Sequence, residues 1–499
     1  MTIQLSLKAE TLDEGQTANA NSFVGSYTDT AHRAITEYSV YDSGADGGHF
    51  KSGSVTLTDG KWTILTAAQF AALEYLAGSS KGSETLSIKA YDGQTWSSAY
   101  SATVTTVAPP PATPVSRLQD AGIAANVAKL MVNGSLSYNS MLTILEGAAT
   151  GGMTATKLST LRTLASMLNA SNGITTSAYV QQIANDVINA NTANADWNGG
   201  SSKATVLGNL TASSSATQVN ELIGKWFLGT DLPSLSVAAI GESNLNPTYV
   251  ADTAPLYGAS GAPKASDVSQ GYLGDCYFVS SLAETALKNP SAVESMIANN
   301  GNGTYSVRFY VGGQADYVTV NNELPVMGAG YSWANGSTLE FVDGSTSWAP
   351  LIEKAFVELN EQTAAAQMGG HSTGNAYEDI NGGTAVALTE ITDQSFNTYA
   401  LSGSTSAATL SSLASTLGSD WTAGDEIILS TPNNSTGNLV SDHMFEVSGV
   451  NAAAGTITLQ NPWNTGYSGP LAMSFTDTIK QLASADCTIY ATTGHTVAA

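Results

Sequence analysis

Two cysteines in 499 residues, Cys276 and Cys487, are too few for a disulfide framework and fall short of a four-ligand zinc pattern. The fold must therefore rest on its apolar cores, for which a hydrophobic content of 42% is ample. Basic residues are also scarce. With 17 of them against 41 acidic ones, the formal charge of −24 repels nucleic-acid phosphates and anionic lipid headgroups, so neither is expected as a partner. The acidic excess suits cation binding, although a solvated acidic surface is the plainer reading.

No stretch approaches eighteen uninterrupted apolar residues, which argues against a membrane span. The opening "MTIQLSLKAETLDEG" lacks a basic segment followed by an apolar one, so a cleaved signal of the ordinary kind is not expected. The charged fraction is only 12%, and Gly, Ala, Ser, Thr and Asn are heavily used. That composition fits a secreted or cell-surface bacterial protein, with a cytoplasmic location left open.

The period of the apolar pattern changes along the chain and divides it. Within residues 1–107, short alternating runs are broken by Asp59-Gly60 and Asp92-Gly93, as in "SVTLTDGKWTIL" and "ETLSIKAYDGQTW". An all-β sandwich is expected there. "APPPATP", residues 108–114, acts as a stiff spacer. From 115 to 235 the spacing is helical: Ile123, Val127, Leu130 and Met131 share one face, as do Leu158, Leu161, Leu164 and Leu168, and then Ile183, Val187 and Ile188. These stripes read as the packing faces of a small α-helical bundle to which no chemistry attaches. The spacer and the change of period predict modular independence, with residues 236–499 as a soluble fragment. In that last region a helix beginning near Cys276 precedes strand-like "TYSVRFYV" and "DYVTVNNELP", the helix "WAPLIEKAFVELN", and strands around "DEIILST", "HMFEVSGV" and "GTITLQNPW". The expected architecture is therefore multidomain, ending in an α+β region of two lobes with a cleft between them.

Cys276 stands where a nucleophile could be activated. It follows the glycines of "GYLGD" and opens a helix, whose N-terminal dipole favours thiolate over thiol. Gln270 supplies an amide that could join the Cys276 N–H as donors to an oxyanion. Of the five histidines, His32 and His49 lie in the β region, His371 in "GGHSTG" and His495 in the last few residues. His443 opens a strand-like run, and Asn461 closes the next one. Neighbouring strands would place the Asn461 oxygen beside the His443 ring, fixing its tautomer. Cys487, in "DCTIYAT", reads as inert packing.

"QGYLGDCYFVSSL" resembles the nucleophile motif of the calpain family of cysteine proteases, whose fold is papain-like. "WAPLIEKAFVELN" with "GGHSTGNAYEDINGG", "DHMFEVSGV" and "LQNPWN" are similar to the family's later motifs, and they occur in the same order. The resemblance implies Cys276 as nucleophile, His443 as general base and acid, Asn461 as orienting residue, Gln270 as oxyanion donor and Trp463 as a shield over the His–Asn pair. The sequence departs from the family at Tyr277, where Trp is usual, and at Asp442 and Met444, where Gly and Ala are usual. The resemblance also implies a Ca2+ site in the first lobe, on Asp267 and Glu353 with backbone carbonyls near 262–264. A second-lobe site is expected to be lost, because "NTGYSGP" holds no carboxylate.

The implied function is a calpain-like endopeptidase that hydrolyses peptide bonds of protein substrates through a thioester. Two alternatives share the sequence. One is a surface-binding, adhesin-like protein whose β module, which resembles cadherin-like or immunoglobulin-like modules, meets a cell-surface or extracellular partner. The other is an acyl transferase using the same residues.

Overall fold

The computed structural model describes residues 3–31, 33–108, 113–235, 247–259, 261–271, 273–326, 346–362, 374–463 and 470–493. Two units emerge, Met1–Thr113 and Pro114–Ala499. Among the described residues no helix is long and apolar enough to cross a membrane.

The first unit is strand-rich. Its largest sheet runs in the order Glu10–Asp13, Tyr100–Val107, Gly82–Tyr91, Glu37–Asp42, Thr63–Thr66. Leu86, Ile88 and Ala90 point inward from its central strand, with Val40 and Val104 beside them, as a period of two demands. The Asp92-Gly93 turn behaves as its residues predict: Asp92 Oδ1 accepts from the Gln94 and Thr95 amides, and Gly93 takes φ +87°. Asp59-Gly60 does something else. The strands that flank it, Val55–Thr56 and Thr63–Thr66, belong to different sheets, so this turn carries the chain from one sheet to another and closes no hairpin.

In the second unit, residues 114–235 form helices whose starts are written in the sequence. Asp120, Ser137, Thr154, Ser177 and Ser215 each accept, through the side chain, the amide of the third helical residue. The expected stripes face inward onto one cluster with Trp226 and Phe227, and only Leu130 and Met131 are half-buried. A helical turn at Gly224–Leu228 then ends at Gly229, with φ +56°. A Cβ at 229 would collide with the backbone of Val320 and Asn321, so glycine is required both by conformation and by space.

Beyond residue 235 the second unit has a helical lobe and a sheet lobe. The first is centred on helix Cys276–Lys288, which packs with helix Trp348–Gln362 and the strands Thr304–Val311 and Gln314–Asn321. Phe278 and Phe356 stack there with ring centroids 4.1 Å apart. The second is a six-stranded antiparallel sheet ordered Phe396–Ala400, Thr488–Thr492, Ile427–Ser430, Met444–Asn451, Thr456–Gln460, Ser474–Thr478. Cys487 is fully buried in its core among Leu417, Phe445 and Ile489.

Residues 115–235 do not stand apart from the first lobe. Tyr179 Oη lies 2.7 Å from Thr319 Oγ1, Thr319 Oγ1 donates to the Trp226 carbonyl at 2.6 Å, and Gln182 Nε2 donates to Asp316 Oδ1 at 2.6 Å. Lys225 Nζ makes two 2.7 Å ion pairs, to Asp231 and to Glu361 on helix Trp348–Gln362. Burial opposes the Lys225 charge, but Glu361 and Asp231 outweigh it and hold the ammonium above the ordinary lysine pKa. The expected modular boundary at 235 is thus crossed by buried polar contacts, because the helices turn hydroxyl, amide and ammonium groups towards the first lobe rather than towards water.

Replacing Lys225 by Met tests this junction. Two carboxylates would be left buried without their cation, at a cost of about 3–5 kcal/mol, read as a lower urea midpoint for unfolding of the second unit. An unchanged midpoint would show that the pairs are solvated and contribute nothing.

Candidate active site

Cys276 is the first residue of its helix and is half-buried. The chain reaches it through Gly274 and Asp275, and the backbone amides of Met444 and Tyr277 face its sulfur. Met444 opens a strand of the sheet lobe, so this contact brings residues from the two lobes together. The two are tied again below, where Ser280 Oγ donates to the Met444 carbonyl at 3.1 Å.

His443 precedes Met444 and is fixed by its backbone: its amide donates to Thr431 Oγ1 at 3.1 Å, and its carbonyl accepts from the Thr431 amide at 2.9 Å. The strands after and before the two polar residues are neighbours, with Glu446 opposite Gln460. His443 Nε2 therefore meets Asn461 Oδ1 at 3.0 Å, with the two residues 6% and 0% exposed. The same oxygen accepts the Trp463 amide at 3.0 Å. The Trp463 ring lies 5.0 Å from the imidazole, tilted by 45°, and Phe445 presents an edge from 5.0 Å. Apolar rings thus cover the hydrogen bond and keep water from competing for it.

Electrostatics depart from the expectation of a lowered thiol pKa. Burial pushes the Cys276 thiol up to about 12; the Met444 and Tyr277 amides pull it down, and the charges of Asp275 and Asp442 push it further up. Burial likewise takes His443 down to about 4, against the Asn461 hydrogen bond and the Asp442 charge. Both shifts favour the uncharged forms, a thiol at Cys276 and an imidazole at His443. A helix end is worth about 1 kcal/mol to a thiolate, less than the several kcal/mol that desolvation of an ion costs.

Gln270 is buried, and its amide donates to the Pro462 carbonyl at 2.7 Å, while Ser269 Oγ donates to the Trp463 carbonyl at 3.2 Å. The segment before the cysteine is thereby joined to the segment after Asn461. The Gln270 side chain points inward: Nε2 donates to the Leu273 carbonyl at 2.7 Å and to Asp275 Oδ1 at 3.3 Å. Both amide hydrogens are thus engaged within the loop that leads to Cys276.

Asp275 gained no separate role from the sequence, yet it organises this loop. It is fully buried, burial raises its carboxyl to about 7, and its side chain bonds both Gln270 and Glu353. The signal was its place in "GDC"; its partner on a distant helix carried none. Glu353, expected as a calcium ligand, is 1% exposed and spends its carboxyl on Asp275. Asp267, the other expected ligand, caps a short turn: Oδ2 accepts the Lys264 amide at 3.0 Å and Trp348 Nε1 at 3.0 Å. Among the described residues no group of three or more His, Cys, Asp or Glu side chains gathers to hold a metal. In this structure Asp267 bonds Lys264 and Trp348, and Glu353 bonds Asp275. His371 and the second-lobe stretch 464–469 lie outside the described residues.

The family departures have local reasons. Tyr277 is buried, and its hydroxyl donates to the Ile380 carbonyl at 3.0 Å. Asp442 takes φ +51°, and Met444 buries its side chain in the first lobe's core.

Sequence comparison covers the stretch that contains these residues. Residues 247–478 match the profile of the calpain family cysteine protease. The calpain-2 catalytic subunit of Bos taurus is 28% identical over 144 residues, covering 28% of this chain and 19% of the relative. That of Gallus gallus is 30% identical over 139 residues, or 26% and 18%. The calpain-type cysteine protease DEK1 of Zea mays is 32% identical over 127 residues, or 25% of this chain and 6% of the relative. The chain spans less than a fifth of the length of these curated relatives. Within this chain, residues 247–478 are a domain of the calpain family of cysteine proteases.

Proposed function

We propose that this domain is a cysteine endopeptidase in which Cys276 attacks a peptide carbonyl and His443 handles the protons. The observation that carries the reading is the shielded 3.0 Å bond from His443 Nε2 to Asn461 Oδ1, formed beside a backbone amide that touches the Cys276 sulfur. With Nε2 donating to Asn461, Nδ1 is the nitrogen left to accept the thiol proton. Sγ then bonds the carbonyl carbon, and the thiol proton passes to His443 and on to the departing amine. A thioester remains, and a water deprotonated by His443 opens it to release the acid and restore the thiol.

The developing oxyanion needs donors in place. The Cys276 N–H, at a helix start, has no carbonyl of its own helix to bind. Gln270 Nε2 is near the nucleophile but donates elsewhere, so it would join the oxyanion only by releasing Leu273 or Asp275. Calcium forms no part of this reading.

Because the chain covers a small part of its relatives, substrate identity rests on the site alone: an exposed peptide segment of a protein. Unfolded casein is a suitable probe. Wild-type protein is expected to cleave it and Cys276→Ala to leave it intact, with unchanged thermal melting; cleavage by the variant would sink the assignment. His443→Ala should lower kcat/KM by about 10³-fold, and Asn461→Ala by about 10²-fold at most, since packing against Trp463 retains part of the ring's orientation. The reverse ranking would overturn the two roles.

The pKa directions set a pH signature. A neutral thiol raised to about 12 should be alkylated by iodoacetamide slowly at pH 7, about tenfold faster for each further pH unit. Fast alkylation independent of pH between 5 and 8 would instead reveal a thiolate–imidazolium pair. Turnover, which requires neutral imidazole, should fall only as the pH drops through about 4.

A further inference from the structure

The nucleophile's loop is gripped by a segment far away in sequence. Asn381 Oδ1 accepts the Gly274 amide at 2.7 Å, the Gly382 amide donates to the Gly274 carbonyl at 2.8 Å, and the Ile380 carbonyl accepts Tyr277 Oη at 3.0 Å. Residues 274 and 277 bracket Cys276. Both polar groups of the Gly274 backbone, and the first helical turn after it, are therefore set by residues 380–382.

The other end of that segment is held by the helical region. The Asn375 carbonyl accepts the Ser234 amide at 2.8 Å and Asn198 Nδ2 at 2.6 Å, while Asn375 Nδ2 donates to the Asp231 carbonyl at 3.1 Å. Asp231 is itself locked: Oδ1 accepts the Asn198 and Gly199 amides at 2.6 and 2.8 Å, and Oδ2 pairs with Lys225. Asn375 and Asp231 are 5% and 3% exposed, so water does not substitute for these bonds. Between the two grips lies the turn Tyr377–Ile380, with Tyr377 and Ile380 buried in the first lobe's core.

We propose that residues 115–235 serve the endopeptidase site as a built-in positioning element, acting through Asn375 and Asn381 to set where Cys276 presents its backbone amide and sulfur. The inference rests on the endopeptidase reading for its consequence, but the grip itself concerns only the geometry of the cysteine. A displaced loop moves both the attacking atom and a donor to the oxyanion. It should therefore lower kcat more than it changes KM, because the Asn381 and Asn375 side chains bond the Gly274 amide and the Asp231 carbonyl.

The full chain carries the test. Asn381→Ala removes the acceptor for Gly274, Asn381→Asp keeps one, and Asn375→Ala and Asn375→Asp both remove the donor to Asp231. For each, three quantities are measured: kcat and KM on casein, the rate of iodoacetamide labelling of Cys276 by peptide mass, and the melting temperature. Buried Cys487 serves as the internal unlabelled control. Asn381→Ala is expected to lower kcat about tenfold with KM within about twofold and to change the labelling rate at least about threefold. Asn381→Asp should return kcat to within about threefold of wild type, whereas Asn375→Asp should be no better than Asn375→Ala.

Wild-type labelling and turnover in both alanine variants would overturn the proposal. So would equal losses in Asn381→Ala and Asn381→Asp that merely track a lowered melting temperature, the mark of a purely structural residue. If wild-type protein cleaves no casein, the endopeptidase reading fails on its own, and the labelling rates still decide the grip.

Discussion

The site depends on the seam where helix Cys276–Lys288 lies against strand Met444–Asn451. In the proposed reaction, the Cys276 sulfur and the His443 ring, one from each lobe, meet only if this contact keeps its register. The seam is polar at its edges and dry in its middle. Ser280 reaches the Met444 carbonyl, and Glu284, fully buried, accepts the Ile427 amide at 3.1 Å. Glu426 and Glu446 are buried nearby, and burial takes them to about 8 and about 7 and also raises Glu284 well above the ordinary carboxyl range. Burial and mutual repulsion push these carboxyls towards the neutral acid, against the nearby Lys288 charge. Met444 and Ile428, from the sheet, complete the apolar packing of the helical lobe.

The same dryness pushes the Cys276 thiol and the His443 imidazole towards their neutral forms. Trp463, Phe445 and the seam exclude water from His443, and an imidazolium there would lose hydration that nothing restores. In the proposed reaction, proton transfer from sulfur to ring would separate charge in a low dielectric, where the Asn461 oxygen and the backbone amides facing Cys276 act strongly. Gln270 is the exception, since its donors point into the loop.

The helical residues 115–235 extend the same logic outward. Their interface with the first lobe is built from pairs that would be costly to expose singly: Tyr179 with Thr319, Lys225 with Asp231 and Glu361, Asn375 with Asp231. Shifting such an interface would expose or unpair several of these groups together. That constraint lets a helical appendage reach a cysteine well downstream of its last residue.

Local chemistry made much of this legible in the sequence. Asp92-Gly93 announces a turn, and the apolar stripes assign the helices their buried faces. The helix start at Cys276 and the neighbouring strands that join His443 to Asn461 follow from short-range pattern too. What sequence could not supply were relations between residues that no periodicity links. Asp275 beside Glu353, Gln270 turned towards Leu273, and Asn381 on Gly274 each depend on how distant elements pack. The turn at Asp59-Gly60 and the docking of the helices on the first lobe were likewise decided in three dimensions. So were the thiol and imidazole pKa values. A helix dipole is a local property that can be read from residue types, whereas desolvation sums over everything that surrounds an atom, and only the folded chain determines those surroundings.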